Sequence, residues 1–380
     1  MPSPSSLPSG LGTYPTPVSR LAAVERTFGA APDVELWCKH DDVTSPLYGG
    51  NKVRKLEHLL VEAQGKSARR IVTIGAVGSH HVLATTLYGK RAGFEVEAVL
   101  APQPRTPHVE EVVRIVSSLG LRAFPVASYA AVPFAIARRL RRGDRGTAYF
   151  VPPGGSSVTG SLGYVDAAFE LAEQIGRGEL PRPRTVVVAL GSGGTVAGLL
   201  VGFLRAGLLT PSSTAPAIEL LAAQVVDPPL ASAPATLALA LALCRRLGEP
   251  LGRATIATLS RALRVVRSQL GAGYGHPTEA GQRATALALA DGLTLDATYT
   301  AKAFAAALDE VRARGAATET GGTRGGSRPP PSGPVLYWHT LSAPAPFESL
   351  LSQAPPLDQV PPKVRALIRP HDAPATPPEA

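Results

Sequence analysis

Apolar positions along this chain follow two alternating periods. Short runs rich in valine, isoleucine and leucine recur at 34–39, 70–74, 94–100, 121–126, 148–151, 185–190, 218–225 and 335–339, and runs of this kind read as strands. Between them lie 79–91, 108–119, 161–175, 195–205, 278–290 and 301–314, with the spacing of helices that bury one face. Strand and helix in alternation predict an α/β fold with an open, mainly parallel, doubly wound sheet, since parallel neighbours need a crossover and a helix is the usual one. The chain shows no internal repeat.

The 380 residues, 44% of them hydrophobic, suffice for one large core or two moderate ones, so two lobes are expected. Leu180-Pro181-Arg182-Pro183-Arg184 reads as a linker ahead of the strand that opens a second unit. Two segments predict no packed structure. One is 316–334, rich in Gly, Thr, Arg and Pro, with Pro329-Pro330-Pro331; the other runs from Ala343 to the end, with proline at short intervals. Neither holds enough apolar surface to offset the entropy of ordering it.

The formal net charge of +9 comes largely from arginines scattered through Ala-, Gly- and Pro-rich sequence. Arg138-Arg139-Leu140-Arg141-Arg142 is a cluster without interleaved aromatics, which fits a solvated helix face better than a nucleic-acid stripe. Cys38 and Cys244 are too few for a disulfide framework or a zinc site, as suits a reducing compartment. Residues 1–12 carry neither the basic nor the apolar region of a secretory leader, and no apolar run is long enough to span a bilayer. The expectation is a soluble cytoplasmic protein that handles a small molecule, with no nucleic-acid or membrane partner.

Lysine is scarce: Lys39, Lys52, Lys55, Lys66, Lys90, Lys302 and Lys363 are all the chain has. Lys52 follows Gly49-Gly50-Asn51 and opens an amphipathic stretch, so it is either a helix-start residue with its head in water or an amine presented for chemistry. Unlike arginine, lysine can lose its proton and act as a nucleophile.

Two strand–loop–helix units carry anion-binding signals. Residues 185–190 lead into Gly191-Ser192-Gly193-Gly194-Thr195 and a helix; such a loop turns successive N–H groups toward one anion, and the helix N-terminus adds its partial positive charge. A dinucleotide fingerprint would need a glycine where Val196 stands, and a Walker loop would need Gly-Lys-Ser/Thr. A small monophosphate or a purely structural turn remains. Gly75-Ala76-Val77-Gly78-Ser79-His80-His81 places a hydroxyl and two imidazoles at a second helix N-terminus, which suits a substrate carboxylate. Adjacent helical residues diverge by about 100°, so His80 and His81 do not chelate together and no metal site is expected.

Taken together, these residues resemble the pyridoxal-phosphate-dependent enzymes of the tryptophan-synthase-β type (fold type II), nearest the branch of 1-aminocyclopropane-1-carboxylate deaminase and D-cysteine desulfhydrase. The matching blocks are 49–57, 75–81, 153–171, 191–199, 273–279, 295–304 and 335–340, in family order. The resemblance implies a large cofactor domain from 1–62 and 166–342, a small α/β domain at 63–165, and a homodimer. It also implies that Lys52 holds pyridoxal 5'-phosphate covalently, beside Asn51, and that Lys55 lies near the phosphate. Gly191, Ser192, Gly193, Gly194 and Thr195 match the phosphate loop. Ser79 matches a serine at the substrate that handles protons, and Tyr274 and Tyr299 match two active-site tyrosines; by themselves these two would read as core rings. His80, His81 and Thr300 fall at substrate-binding positions, and Thr340 at the cofactor.

Where the cyclopropane deaminase pattern has glutamate and leucine, this chain has Thr300 and Thr340. A hydroxyl leaves the pyridine nitrogen largely unprotonated, whereas a carboxylate favours its protonation. Thiolate elimination from Cβ does not need the stronger electron sink, so the expectation is a lyase that releases pyruvate, ammonia and sulfide from D-cysteine. Cyclopropane deamination, or a cofactor-binding homologue with lost or altered activity, are the alternatives. Two departures bear on these. The family asparagine is His80, expected to donate to the cofactor's phenolic oxygen in its place, and the glycine pair after Thr340 is Leu341-Ser342, expected to crowd the ring.

Overall fold

The computed structural model describes residues 10–141, 147–211, 216–229, 231–319 and 333–370. Its strands are β1 (Val18–Arg20), β2 (Leu36–His40), β3 (Arg70–Ala76), β4 (Glu95–Ala101), β5 (Gln103–Pro104), β6 (Arg122–Pro125), β7 (Ala148–Phe150), β8 (Thr185–Leu190), β9 (Glu219–Gln224), β10 (Leu263–Val266), β11 (Val335–His339) and β12 (Ile368–Arg369). A six-stranded sheet runs β1-β2-β11-β8-β9-β10 and a four-stranded sheet β6-β4-β3-β7. Among the described residues only the edge strand β1 is antiparallel to its neighbour. β11 is buried along its whole length and β8 nearly so. Both faces of the large sheet are covered, which is why these strands read as continuous apolar runs and not as alternation.

One face of the large sheet packs on helices Val158–Gly176, Gly194–Arg205 and Ala233–Arg246, the other on Glu279–Ala288 and Thr300–Glu319. The small sheet shares a core with helices Asn51–Gly65, His80–Arg91 and Pro107–Ser118. Every strand and helix expected from the pattern forms, with small shifts at the ends. Helix Ala233–Arg246 was not legible, because its alternating Ala and Leu have the period of a strand; both residues are strong helix formers, and helix is what forms. No helix among the described residues is long and apolar enough to cross a membrane.

The expectation of an unpacked tail needs correction over its first part. Helices Pro344–Ser352 and Pro362–Arg365 form, and β12 pairs in parallel with β5. Val360, Val364 and Leu367 are buried in the small-sheet core. Pro344 and Pro362 stand at helix starts, where a missing N–H costs nothing and the fixed φ is already helical, so they punctuate structure without preventing it. The other expected unpacked segment begins inside helix Thr300–Glu319; residues 320–332 lie outside the described residues. Both expected domain boundaries, at 62–63 and 165–166, fall within helices, Asn51–Gly65 and Val158–Gly176.

Topology fixes where a ligand can sit. β11 enters the large sheet between β2 and β8, pairing His339 with His40 and Tyr337 with both Cys38 and Val187. The segments leaving the C-terminal ends of β2, β8 and β11 therefore meet on one edge, which in open parallel sheets is where ligands bind. β3 of the small sheet ends at Ala76, just before Ser79, His80 and His81.

Candidate active site

The turn after β2 admits only glycine. A Cβ on Gly49 would lie 1.9 Å from the Asp42 carbonyl oxygen, and one on Gly50, at φ +90°, would lie 2.7 Å from that of Thr340. This close approach lets Gly50 N–H donate to Asp41 O (2.7 Å) and Asn51 N–H to Thr340 O (3.1 Å), so helix Asn51–Gly65 starts clamped between the ends of β2 and β11. Ser342, which with Leu341 lines the cleft, accepts from Gly49 N–H through its Oγ at 2.9 Å.

On that helix Lys52 and Lys55 share a face at a three-residue spacing and line the cleft. Arg54 points away into a buried acidic pair, meeting Asp41 at 2.8 Å and Glu170 at 3.0 Å. Asp41 also accepts from Tyr164 Oη at 2.6 Å and Trp338 Nε1 at 2.8 Å, and Lys39 pairs with Glu170. Burial raises the Asp41 carboxyl, but the Arg54 guanidinium, together with Lys39 and the Tyr164 hydroxyl, outweighs it and holds the group below the usual carboxylate range. This network fixes the helix that presents both lysines.

The cleft has a volume of about 1110 Å³, and every site residue expected from the sequence lines it except Gly194. Gly194 contributes its backbone N–H, which donates to Ser156 Oγ at 3.0 Å. Lys52 is half-buried and donates to Asn51 Oδ1 at 2.5 Å. Burial pushes its amine down to about 8, against a smaller upward pull from Asp296.

The loop after β8 has the shape of an anion cradle. Gly193 turns at φ +84° into helix Gly194–Arg205, and Gly154, at φ +63°, packs so closely that its Cβ would lie 2.1 Å from Ser192 Oγ. Lys55 Nζ donates to Gly154 O at 3.1 Å and Ser156 Oγ at 3.4 Å, and Asn51 Nδ2 donates to Thr195 Oγ1 at 3.2 Å. Lys55 is 2% exposed; burial, and then the neighbouring Lys52, push its amine well below its ordinary value. Among the described residues no carboxylate pairs with it. A buried amine beside a helix N-terminus, with only neutral acceptors, fits a bound phosphate, whose charge would favour the protonated form. With Lys52 in the same cleft, the residues fit pyridoxal phosphate. Lys55→Met is expected to weaken cofactor binding by roughly ten- to a hundredfold, the loss of one charge-assisted hydrogen bond; titrating cofactor-free protein by absorbance checks it.

The two tyrosines stand edge to face, with centroids 5.9 Å apart at 72°. Gly191 lets the Tyr299 ring lie close, since a Cβ there would sit 3.1 Å from Cε1. Lys302 Nζ holds the Tyr274 loop by donating to Leu270 O (2.7 Å) and Gly273 O (3.1 Å). Burial raises both phenols, Tyr299 well above its ordinary value, so each keeps its proton at neutral pH. Ser79 caps helix His80–Arg91, its Oγ accepting from Val82 N–H at 3.5 Å.

His80 corrects the expectation that it donates to the cofactor: both ring nitrogens are already engaged, Nδ1 by Tyr48 and Nε2 by His108. His81 faces the small sheet, Nε2 at 2.9 Å from Thr73 Oγ1. Thr300 donates to Asp296 Oδ1 and accepts from Asp296 N–H, both at 2.7 Å. Asp296 caps the helix start, accepting also from the N–H groups of Thr298, Tyr299 and Thr300. An aspartate just ahead of a predicted helix was a readable cap signal. Tyr48, Gln103 and Arg369 also line the cleft, and Gln103 and Arg369 arrive from segments that carry no motif.

A family model described as pyridoxal-phosphate-dependent enzyme matches residues 10–320. The chain belongs to that family. Its relatives include D-cysteine desulfhydrase of Salmonella newport (strain SL254), 31% identical over 342 residues, which span 88% of this chain and 93% of the relative. Among solved structures, an ACC deaminase homologue is 28% identical with a TM-score of 0.68, covering 90% of this chain and 95% of its own. A fungal L-serine ammonia-lyase from Rhizomucor miehei, 15% identical with a TM-score of 0.57, shares the fold.

Proposed function

We propose that this pyridoxal-phosphate-dependent enzyme is a lyase that removes the β-substituent of a small amino acid, with D-cysteine as substrate and pyruvate, ammonia and sulfide as products. The observation that carries the reading is the neutralisable Lys52 amine in one cleft with the phosphate cradle and with Thr300 where a cyclopropane deaminase pattern has glutamate. The D-cysteine desulfhydrase relatives support the same choice of substrate. When bound, pyridoxal phosphate supplies an electrophilic aldehyde and a conjugated ring that accepts electron density from Cα.

The chain's own groups supply the rest. Lys52, its proton loss eased by burial, would hold the cofactor at its aldehyde, and the same amine, once freed, would accept the Cα proton. Ser79 Oγ and the N-terminus of helix His80–Arg91 hold the substrate carboxylate. Tyr299, with its proton retained, steers or protonates the departing thiolate. A cytoplasmic homodimer with a cofactor lobe and a smaller lobe belongs to the same reading; the family likeness and two unpaired, buried cysteines support it.

The test is keto-acid release by the yellow, cofactor-loaded protein. Pyruvate from D-cysteine is expected; 2-oxobutyrate from 1-aminocyclopropane-1-carboxylate as the faster reaction, or no keto acid from either, would overturn the reading. Ser79→Ala should lower turnover by about a hundredfold, the scale of a lost substrate-positioning contact, while the visible cofactor band persists. Full activity in that variant would reduce Ser79 to a helix cap. Tyr299→Phe should lower kcat more than it raises KM.

A further inference from the structure

Two hydrogen bonds and one ion-pair contact lead from the cleft to the surface through residues that the chemistry above does not use. Tyr48 and His80 both line the cleft. Tyr48 Oη is hydrogen-bonded to His80 Nδ1. The other ring nitrogen, Nε2, lies 2.7 Å from Nε2 of His108, on the separate helix Pro107–Ser118. His108 Nδ1 lies 3.4 Å from Glu111 Oε2, and these two side chains are 41% and 36% exposed. Phe347, from the tail helix Pro344–Ser352, packs against both imidazoles, with centroids 5.0 Å from His108 and 6.4 Å from His80.

One placement of protons satisfies every member. Tyr48 O–H donates to His80 Nδ1 and His80 Nε2–H to His108 Nε2, which leaves His108 Nδ1–H turned to the Glu111 carboxylate 3.4 Å away. Each group then donates once, toward the surface. The titratable groups facing His80 are Tyr48, His108, Lys52 and Asp296; His108 faces His80 and Glu111. Burial, with the adjacent His108, pushes His80 down to about 3, so the ring rests neutral. A neutral imidazole takes a proton at one nitrogen as it releases one from the other. Asparagine, which the family pattern has at this position, has no titratable group with which to do so.

We propose that Tyr48, His80, His108 and Glu111 form a proton relay joining the reacting cleft to solvent, an inference that rests on the lyase reading of that cleft. A proton released in the cleft joins the Tyr48 oxygen as the Tyr48 proton passes to His80 Nδ1. His80 gives its Nε2 proton to His108 Nε2, and His108 gives its Nδ1 proton to Glu111, which hands it to water. Only O–H and N–H bonds form or break, and no electrons are exchanged. One outward passage reverses the direction in which each group donates, which readies the line to carry one proton inward. β-Elimination uses both directions, since Cα loses a proton and the departing thiolate gains one.

The test has two arms on the full-length protein. In cofactor-free protein with ¹⁵N-labelled histidine, a scalar coupling across the His80–His108 N–H···N bond is expected. With cofactor and D-cysteine, the surface variant His108→Gln should turn over about tenfold more slowly in dilute buffer, less than the roughly hundredfold or more of a group that transfers the proton at the reacting atom itself. It should recover as imidazole is raised, while the wild type is indifferent to imidazole. Absence of the coupling, an undiminished rate in dilute buffer, or a slowed rate that imidazole does not restore would each overturn the relay. The first arm needs neither cofactor nor turnover, so intact coupling in a protein that leaves D-cysteine untouched supports the relay's bonds and counts against the proposed reaction alone.

Discussion

Replacing Lys52 by alanine is expected to lower turnover at least about a thousandfold, since one amine serves both as covalent anchor and as base. The phosphate cradle does not depend on Lys52: Lys55, Ser156 and the N-terminus of helix Gly194–Arg205 are held by their own contacts. The variant should therefore still bind pyridoxal phosphate, but borohydride should no longer fix it to protein. In the wild type the same treatment should label the peptide that contains Lys52. The pH dependence follows from burial. With the amine pushed down to about 8, the nucleophilic neutral form grows as pH rises through that value. Covalent capture of pyridoxal phosphate by cofactor-free protein should thus accelerate with a midpoint near there, well below the roughly 10.4 of a solvated lysine. A midpoint at the solvated value, or labelling on another lysine, would reject this assignment.

The second large effect is on stability. Arg54→Met should destabilise the fold by about 3–5 kcal/mol, because it removes one partner of a buried ionic cluster and leaves the other charges without compensation. Asp41 is fully buried and keeps its charge through Arg54; Lys39, also buried, leans on Glu170. Urea denaturation followed by tryptophan fluorescence should report the loss, since Trp338 Nε1 donates to Asp41. A loss under about 1 kcal/mol would place this pair with weakly coupled surface bridges. Asp41 and Glu170 both titrate below their ordinary values in the fold, through Arg54. Their contribution is complete above their unfolded values near about 4 and falls away as pH drops through the lower folded values. Arg54→Met should therefore flatten the acid limb of the stability profile.

Local sequence carried much of this protein's architecture. A strand buried on both faces has to be apolar throughout, so β8 and β11 were legible; a helix that buries one face repeats its apolar residues at helical spacing, so His80–Arg91 and Pro107–Ser118 were too. Gly49, Gly50 and Gly193 marked their turns because only glycine tolerates those φ values and approaches. The lysine behind Gly49-Gly50-Asn51 and the loop from Gly191 to Thr195 announced the chemistry for the same reason: each is a local backbone solution written in contiguous residues.

What the tertiary structure decided is where distant segments meet. Nothing near Gly49 in sequence indicates that its N–H finds Ser342, nor that helix Pro107–Ser118 brings His108 to His80. Spacing along the chain does not encode contacts made across two sheets. The tail after Ala343 shows the same limit, since its composition is poor in apolar residues but the few it has, Val360, Val364 and Leu367, fall onto the small-sheet core. A segment packs when a surface waits for it, and that surface belongs to residues far away in the sequence. Motif and period thus marked most of the elements and the candidate amine, while packing determined what faces His80 and what clamps the start of the helix that carries Lys52.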